Sequence, residues 1–111
     1  MKIVPMTTED AKALAELDIL CFAVPWSEKS FFEEANNHLA RYFVAKDDDK
    51  IIGYGGIWLV SGEGNITNIA VHPEYRKSAE LRLRLVASHL KNLAKQQIMN
   101  REKVNQIYEY C

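Results

Sequence analysis

Cysteine is scarce in this chain, and proline and glycine are nearly so: two, three and five among 111 residues. Cys21 and Cys111 form no Cys-x-x-Cys pair and have no histidine beside them, so a disulfide framework and a zinc knuckle are both excluded as organising principles. Five glycines and three prolines are too few for a collagen-like or low-complexity segment. No apolar run approaches the roughly 20 residues that a membrane span needs, nor does the opening "MKIVPM" read as a secretory leader. The net charge is only -1, so no excess of positive charge points to nucleic acid or to an anionic membrane. The expectation is a reduced, cytoplasmic protein that binds neither.

What is present is ordinary globular material, 48% hydrophobic and 26% charged, in a length that suits one domain. "KIVPM" is a short apolar strand. In "TTEDAKALAELDILCF", Ala11, Leu14 and Leu17, followed by Asp18 or Cys21, recur at helical spacing, and Thr7 with Asp10 makes a capping box; a helix is expected over 8–20. Pro25 breaks it. Ser27 then caps a second helix whose first turn carries Glu28 and whose apolar side is Phe31, Phe32 and Ala35. The period changes to two at "ARYFVAKDDDKIIGYGGIWLV", which predicts strands over 40–46 and 50–60 joined by an acidic turn. "NITNIAVH" is a third strand of the same antiparallel meander. Pro73 ends it. A long helix over 79–97 follows, with Leu83, Val86, Leu90, Leu93 and Ala94 on one face and Arg82, Lys91 and Lys95 off it. "REKVNQIYEYC" reads as a short terminal helix or a frayed tail. The order β-α-α-β-β-β-α predicts an α/β (α+β) sandwich with helices flanking an antiparallel meander.

"PWSEKSFFEEA", the meander and "ITNIAVHPEYRK" together resemble the GCN5-related N-acetyltransferase (GNAT) superfamily, and within it the bacterial ribosomal-protein alanine N-acetyltransferases. The resemblance covers about residues 1–77. It implies a single GNAT-like domain over 1–111 in which the pattern departs from the family after Lys77 and the family's closing strands lack counterparts. It implies transfer of acetyl from acetyl-CoA, with no metal, to a primary amine, most specifically the N-terminal α-amine of a ribosomal protein. The alternative from another class is a non-catalytic module of the same fold that binds a partner or senses acyl-CoA.

The resemblance also implies site residues. Ile69, Ala70 and Val71 match the strand whose main chain pairs with the peptide-like pantetheine arm, and the Val71 N–H is placed to stabilise an oxyanion. Arg76, Lys77, Ser78, Ala79, Glu80 and Leu81 match the loop and helix start that cradle the pyrophosphate. Ser78 is a candidate cap there. Ala79 and Leu81 stand where the family has small residues, so both are expected to crowd the cradle, and Glu80 adds a like charge beside the diphosphate. Asn100 falls near the family's cofactor-proximal asparagine. Tyr108 matches the tyrosine that protonates the leaving thiolate. Trp26 and Ser27 fall in the loop that shapes the acceptor groove, although a staple and a helix cap explain them equally. His38, His72 and His89 are scattered, His72 at a strand end near the expected thioester, and "DDDK" is a solvated hairpin tip rather than a metal loop. An apolar strand edge left open predicts a homo-oligomer, most simply a dimer.

Overall fold

A computed structural model describes residues 1–61, 63–97, 99, 100, 102 and 104. Strand β1 (Lys2–Pro5) leads through a single 3-10 turn (Thr8–Asp10) into helix α1 (Ala11–Cys21) and then helix α2 (Glu28–Ala35). Strands β2 (Ala40–Asp47), β3 (Lys50–Val60) and β4 (Glu63–Val71) form the meander, and helix α3 (Arg76–Lys95) follows a second 3-10 turn at Pro73–Tyr75. The sheet runs β1-β2-β3-β4, antiparallel throughout. The mixed architecture is the one the residue pattern predicts.

Local chemistry sets the boundaries. The Asp10 carboxylate accepts from the Thr7 N–H at 2.9 Å, which secures the turn that starts α1, and it also pairs with Lys46 of β2 at 3.3 Å. Ser27 Oγ accepts from the Ser30 N–H at 3.1 Å, so α2 begins where its cap requires. The acidic tip turns through Asp48 at φ 54, a left-handed conformation that aspartate tolerates.

Helix α3 departs from expectation by one turn. It starts at Arg76, not at 79, with Tyr75 at the N-cap. Arg76, Lys77 and Ser78 carry no apolar periodicity, so the pattern under-reports a first turn that Pro73 and its 3-10 turn have already wound. Ser78 therefore lies within the helix and is not its cap. The far end closes after Lys95, where Gln97 takes φ 58. The expected terminal helix, like Tyr108 and Cys111, lies outside the described residues apart from 102 and 104.

The sheet separates two cores. On one face, α3 lays Ala79, Leu83, Val86, Ala87 and Leu90 onto Phe43, Ala45, Ile52, Ile57 and Val71. Each of the larger side chains contributes about 1.5–3 kcal/mol on burial. Gly53 makes this contact possible: a Cβ there would stand 2.8 Å from Leu83 Cδ1 and 2.9 Å from the Ala70 carbonyl oxygen. On the other face, α1 and α2 place Leu14, Leu17 and Phe31 against Tyr42, Val44, Tyr54 and Ala70. The two faces meet at the outer edge of β4.

Candidate functional site

Among the described residues, β4 pairs only with β3, so its outer edge carries no strand. The ladder shows which main-chain groups face outward. The His72 N–H donates to the Ile52 carbonyl at 2.7 Å, which makes 52/72 a hydrogen-bonded position of the ladder. Facing pairs alternate along an antiparallel ladder, and Tyr54↔Ala70 lies two residues on. Ala70 thus spends its N–H and C=O on β3. Ile69 and Val71, at the intervening positions, direct theirs away from the sheet. The Val71 carbonyl confirms this direction, because it accepts from the Cys21 thiol at 3.4 Å, and Cys21 stands at the end of α1.

A cleft of about 170 Å³ opens along this edge, lined by Cys21, Phe22, Ile69, Ala70, Val71, Arg76 and Glu80. Its floor is main chain and its rim is the start of α3. Tyr75 gives α3 no side-chain cap, so the first N–H groups of a 20-residue helix are left for an anion, with the positive end of the dipole behind them. Arg76 and Lys77, both exposed, stand at that end. Lys77 borders the adjoining depression with Pro73, Glu74, Tyr75 and Arg76. Tyr75 is held by the His72 ring in an edge contact at 5.7 Å and by the Lys50 ammonium 5.6 Å from its ring centre. His72 Nδ1 accepts from the Glu74 N–H at 3.2 Å, so this histidine caps the turn.

The side chains expected to crowd the cradle do not enter it. The Ala79 methyl group is fully buried in the core beneath α3, and Leu81 is 62% exposed on the solvent side of the helix. A helix that begins at Arg76 rotates both away from the edge. Glu80 does line the cleft, but its Oε1 accepts from Arg84 Nη2 at 3.0 Å and Nε at 3.3 Å. The like charge that was to repel a diphosphate is paired along its own helix.

Other expected residues are dispersed. Asn100 lies with Met99 and Val104 against Pro5, Arg41 and Tyr42, in a separate cavity of about 480 Å³ that does not include the Ile69–Val71 edge. Trp26 packs on Phe31 with ring centres 5.5 Å apart, and its backbone N–H donates to Asp18 Oδ2 at 2.7 Å. Ser27 is the α2 cap. Both hold the α1–α2 connection in place, beside Phe22 of the cleft.

Two features escaped the sequence reading. Cys21, which the sequence offered only as one option on the apolar stripe of α1, is half-buried on the cleft wall. Burial pushes its thiol up, against the opposing pull of the Arg76 charge, so it is a neutral donor at pH 7 rather than a thiolate. Asp18 is 1% exposed, and besides Trp26 it accepts from the Tyr54 hydroxyl at 2.6 Å. Burial and that bond push the Tyr54 hydroxyl far above its ordinary range. An aspartate on the apolar stripe of α1 was the available signal. Among the described residues, no three His, Cys, Asp or Glu side chains are grouped to hold a metal. No helix among them is long and apolar enough to cross a membrane.

This order of elements, with an open strand edge beside an uncapped helix start, is matched at the level of sequence: residues 11–79 fit the model of the acetyltransferase (GNAT) family. The chain belongs to that family. A Bacillus subtilis (strain 168) protein with the provisional name ribosomal protein bS18-alanine N-acetyltransferase is 42% identical over 72 residues, which are 64% of this chain and 48% of that protein. The chain thus spans about half the length of the curated relatives it matches. The ribosomal-protein-S18-alanine N-acetyltransferase of Escherichia coli superposes with a TM-score of 0.68 at 23% identity, over 97% of this chain and 74% of that one. The paia N-acetyltransferase of Thermoplasma acidophilum, solved in complex with coenzyme A, gives 0.67 at 18% identity over 99% and 89%. At those identities the two structures speak to the fold alone.

Proposed function

We propose that this protein transfers acetyl from acetyl-CoA to the N-terminal α-amine of a protein, with a ribosomal protein as the acceptor class. The observation that carries the reading is the outer edge of β4, where Ile69 and Val71 turn their main-chain groups out of the sheet next to the open N-terminus of α3. The fit to the cofactor is good on chemistry. An amide-bearing arm pairs with the free N–H and C=O of Ile69 as an added strand would. A diphosphate is received by the first N–H groups of α3, with Arg76 and Lys77 as counter-charges. Bound acetyl-CoA supplies an activated acyl thioester.

The protein's own residues supply the rest. The Val71 N–H faces the edge as a fixed donor toward a carbonyl oxygen that gains negative charge. The Val71 N–H shares its peptide unit with the Ala70 carbonyl, which pairs with β3, and Cys21 steadies the following unit through the Val71 carbonyl. Phe22 helps to wall the cleft from water. By resemblance, Tyr108 delivers the proton to the departing thiolate. The name of the 42% identical relative supports the acceptor class.

The alternation of β4 makes a sharp test available. Val71→Pro deletes an outward N–H and leaves the β3 ladder intact, as proline on an edge strand allows. The variant is expected to keep its circular dichroism and lose transfer to an N-terminal-alanine peptide by roughly a hundredfold, in keeping with one oxyanion donor. Calorimetry should find Arg76→Ala about tenfold weaker for acetyl-CoA. Unchanged turnover in Val71→Pro, with the fold retained, would overturn the reading. The same open edge supports pairing with a second copy. Light scattering should then show a dimer that acetyl-CoA dissociates, since both occupants use the same main-chain groups.

A further inference from the structure

The α1/α2 face of the sheet carries a carboxylate with no counter-charge. Glu34, half-buried near the end of α2, accepts from Trp58 Nε1 at 2.9 Å and from Asn37 Nδ2 at 3.3 Å. Both donors are neutral, and no cation among the described residues pairs with it. The other acidic side chain beside it, Glu33, already has Lys29 at 4.0 Å. The Trp58 ring is anchored through its N–H, yet 41% of the residue stays exposed. Beneath lies Tyr42, whose hydroxyl receives the Thr67 Oγ1–H at 3.1 Å. Burial first, with the Glu34 charge adding to it, pushes that hydroxyl up to about 12.

An anchored indole face beside an unpaired carboxylate is the chemistry that binds an ammonium or guanidinium group, by ion pairing and by cation–π attraction together. We infer that Glu34 and Trp58 form a recognition site for a basic side chain of the acceptor peptide. The inference rests on the proposed acetyl transfer at Val71, and the ladder sets the spacing. Trp58 lies five residues along β3 from Gly53, the partner of Val71. At the rise of a strand this is about 17 Å. Between the two points, Thr67 and Asn68 leave the β4 surface half-open. An extended peptide whose amine sits at Val71 thus brings a lysine or arginine to Glu34 from three to five residues downstream. The site adds affinity and selects among acceptors; it takes no part in the chemistry.

The test uses peptides that begin with alanine, neutral except for one lysine scanned from position 2 to position 7, with norleucine in its place as control. Binding is followed through the Trp58 indole N–H resonance and by calorimetry. Lysine at positions 4–6 is expected to bind roughly three- to tenfold tighter than norleucine, to shift the indole resonance and to lose its advantage in high salt. Glu34→Gln retains an acceptor for Trp58 and should abolish the advantage without moving the circular dichroism. Trp58→Leu should halve it or more. Equal affinity across the scan, no binding at all, or a preference that survives Glu34→Gln would each overturn the inference. Acetyl transfer measured on the same peptides separates the two proposals. A lysine preference without transfer sinks the reaction and keeps the site; transfer without preference does the reverse.

Discussion

The two faces of this sheet are built on different principles. Beneath α3 the core is wholly apolar, with Leu83, Val86 and Leu90 spread over Phe43, Ile52 and Ile57. Beneath α1 and α2 the apolar contacts are interrupted by hydrogen-bonded polar groups: Asp18 with Tyr54 and Trp26, Thr67 with Tyr42, Glu34 with Trp58. The first face adheres. The second also specifies, because each polar group there demands a partner in one direction. The cleft sits where the two meet, so its open main chain is backed by a stiff apolar layer and approached across a polar one.

The sharpest way to break this comparison is at Asp18. Asp18→Ala strands the Tyr54 hydroxyl and the Trp26 N–H in the interior, and should cost about 4 kcal/mol in urea denaturation. Asp18→Leu should recover little of it, since the donors remain unpaired; full recovery would show that this face is only another apolar layer. Leu83→Ala on the opposite face should cost about 3 kcal/mol, and there Leu83→Met should recover more than half.

A smaller effect concerns alkali. The Tyr42 hydroxyl ionises near 10 in an unfolded chain and at about 12 in the fold. Its contribution is therefore complete below pH 10 and falls away as the pH rises toward 12, by about 3 kcal/mol in all. Tyr42→Phe should flatten the fall of stability between pH 10 and 12 relative to the wild type, leaving the steeper share to Tyr54. An unchanged slope would mean that the polar face does not shield this hydroxyl. The smallest effect is at the rim: Ser27→Ala should cost about 1 kcal/mol by removing the α2 cap, with the two cores untouched.

Local structure was largely legible in the chain. Ser27 before an acidic turn announced α2, and the switch to alternation at Ala40 announced the meander. Leu83, Val86 and Leu90 announced the buried side of α3. Legibility ended where local signals compete or fall silent. The charged first turn of α3 hid its start, and that single turn decided where Ala79 and Leu81 point. Asp18 entered only as one option at helical spacing, because its partner Tyr54 is 36 residues away. Glu34 carried no signal of its own, because Trp58 is 24 residues away.

By itself, then, the sequence determined the elements, their order and the family pattern, since caps, turns and hydrophobic periods act over a few neighbouring residues. Tertiary structure alone decided which groups meet: Cys21 with Val71 across 50 residues, Asp18 with Tyr54, Glu34 with Trp58. Ladder register and helix rotation set those meetings. Both depend on packing summed over the whole molecule, and no short window of residues contains that sum.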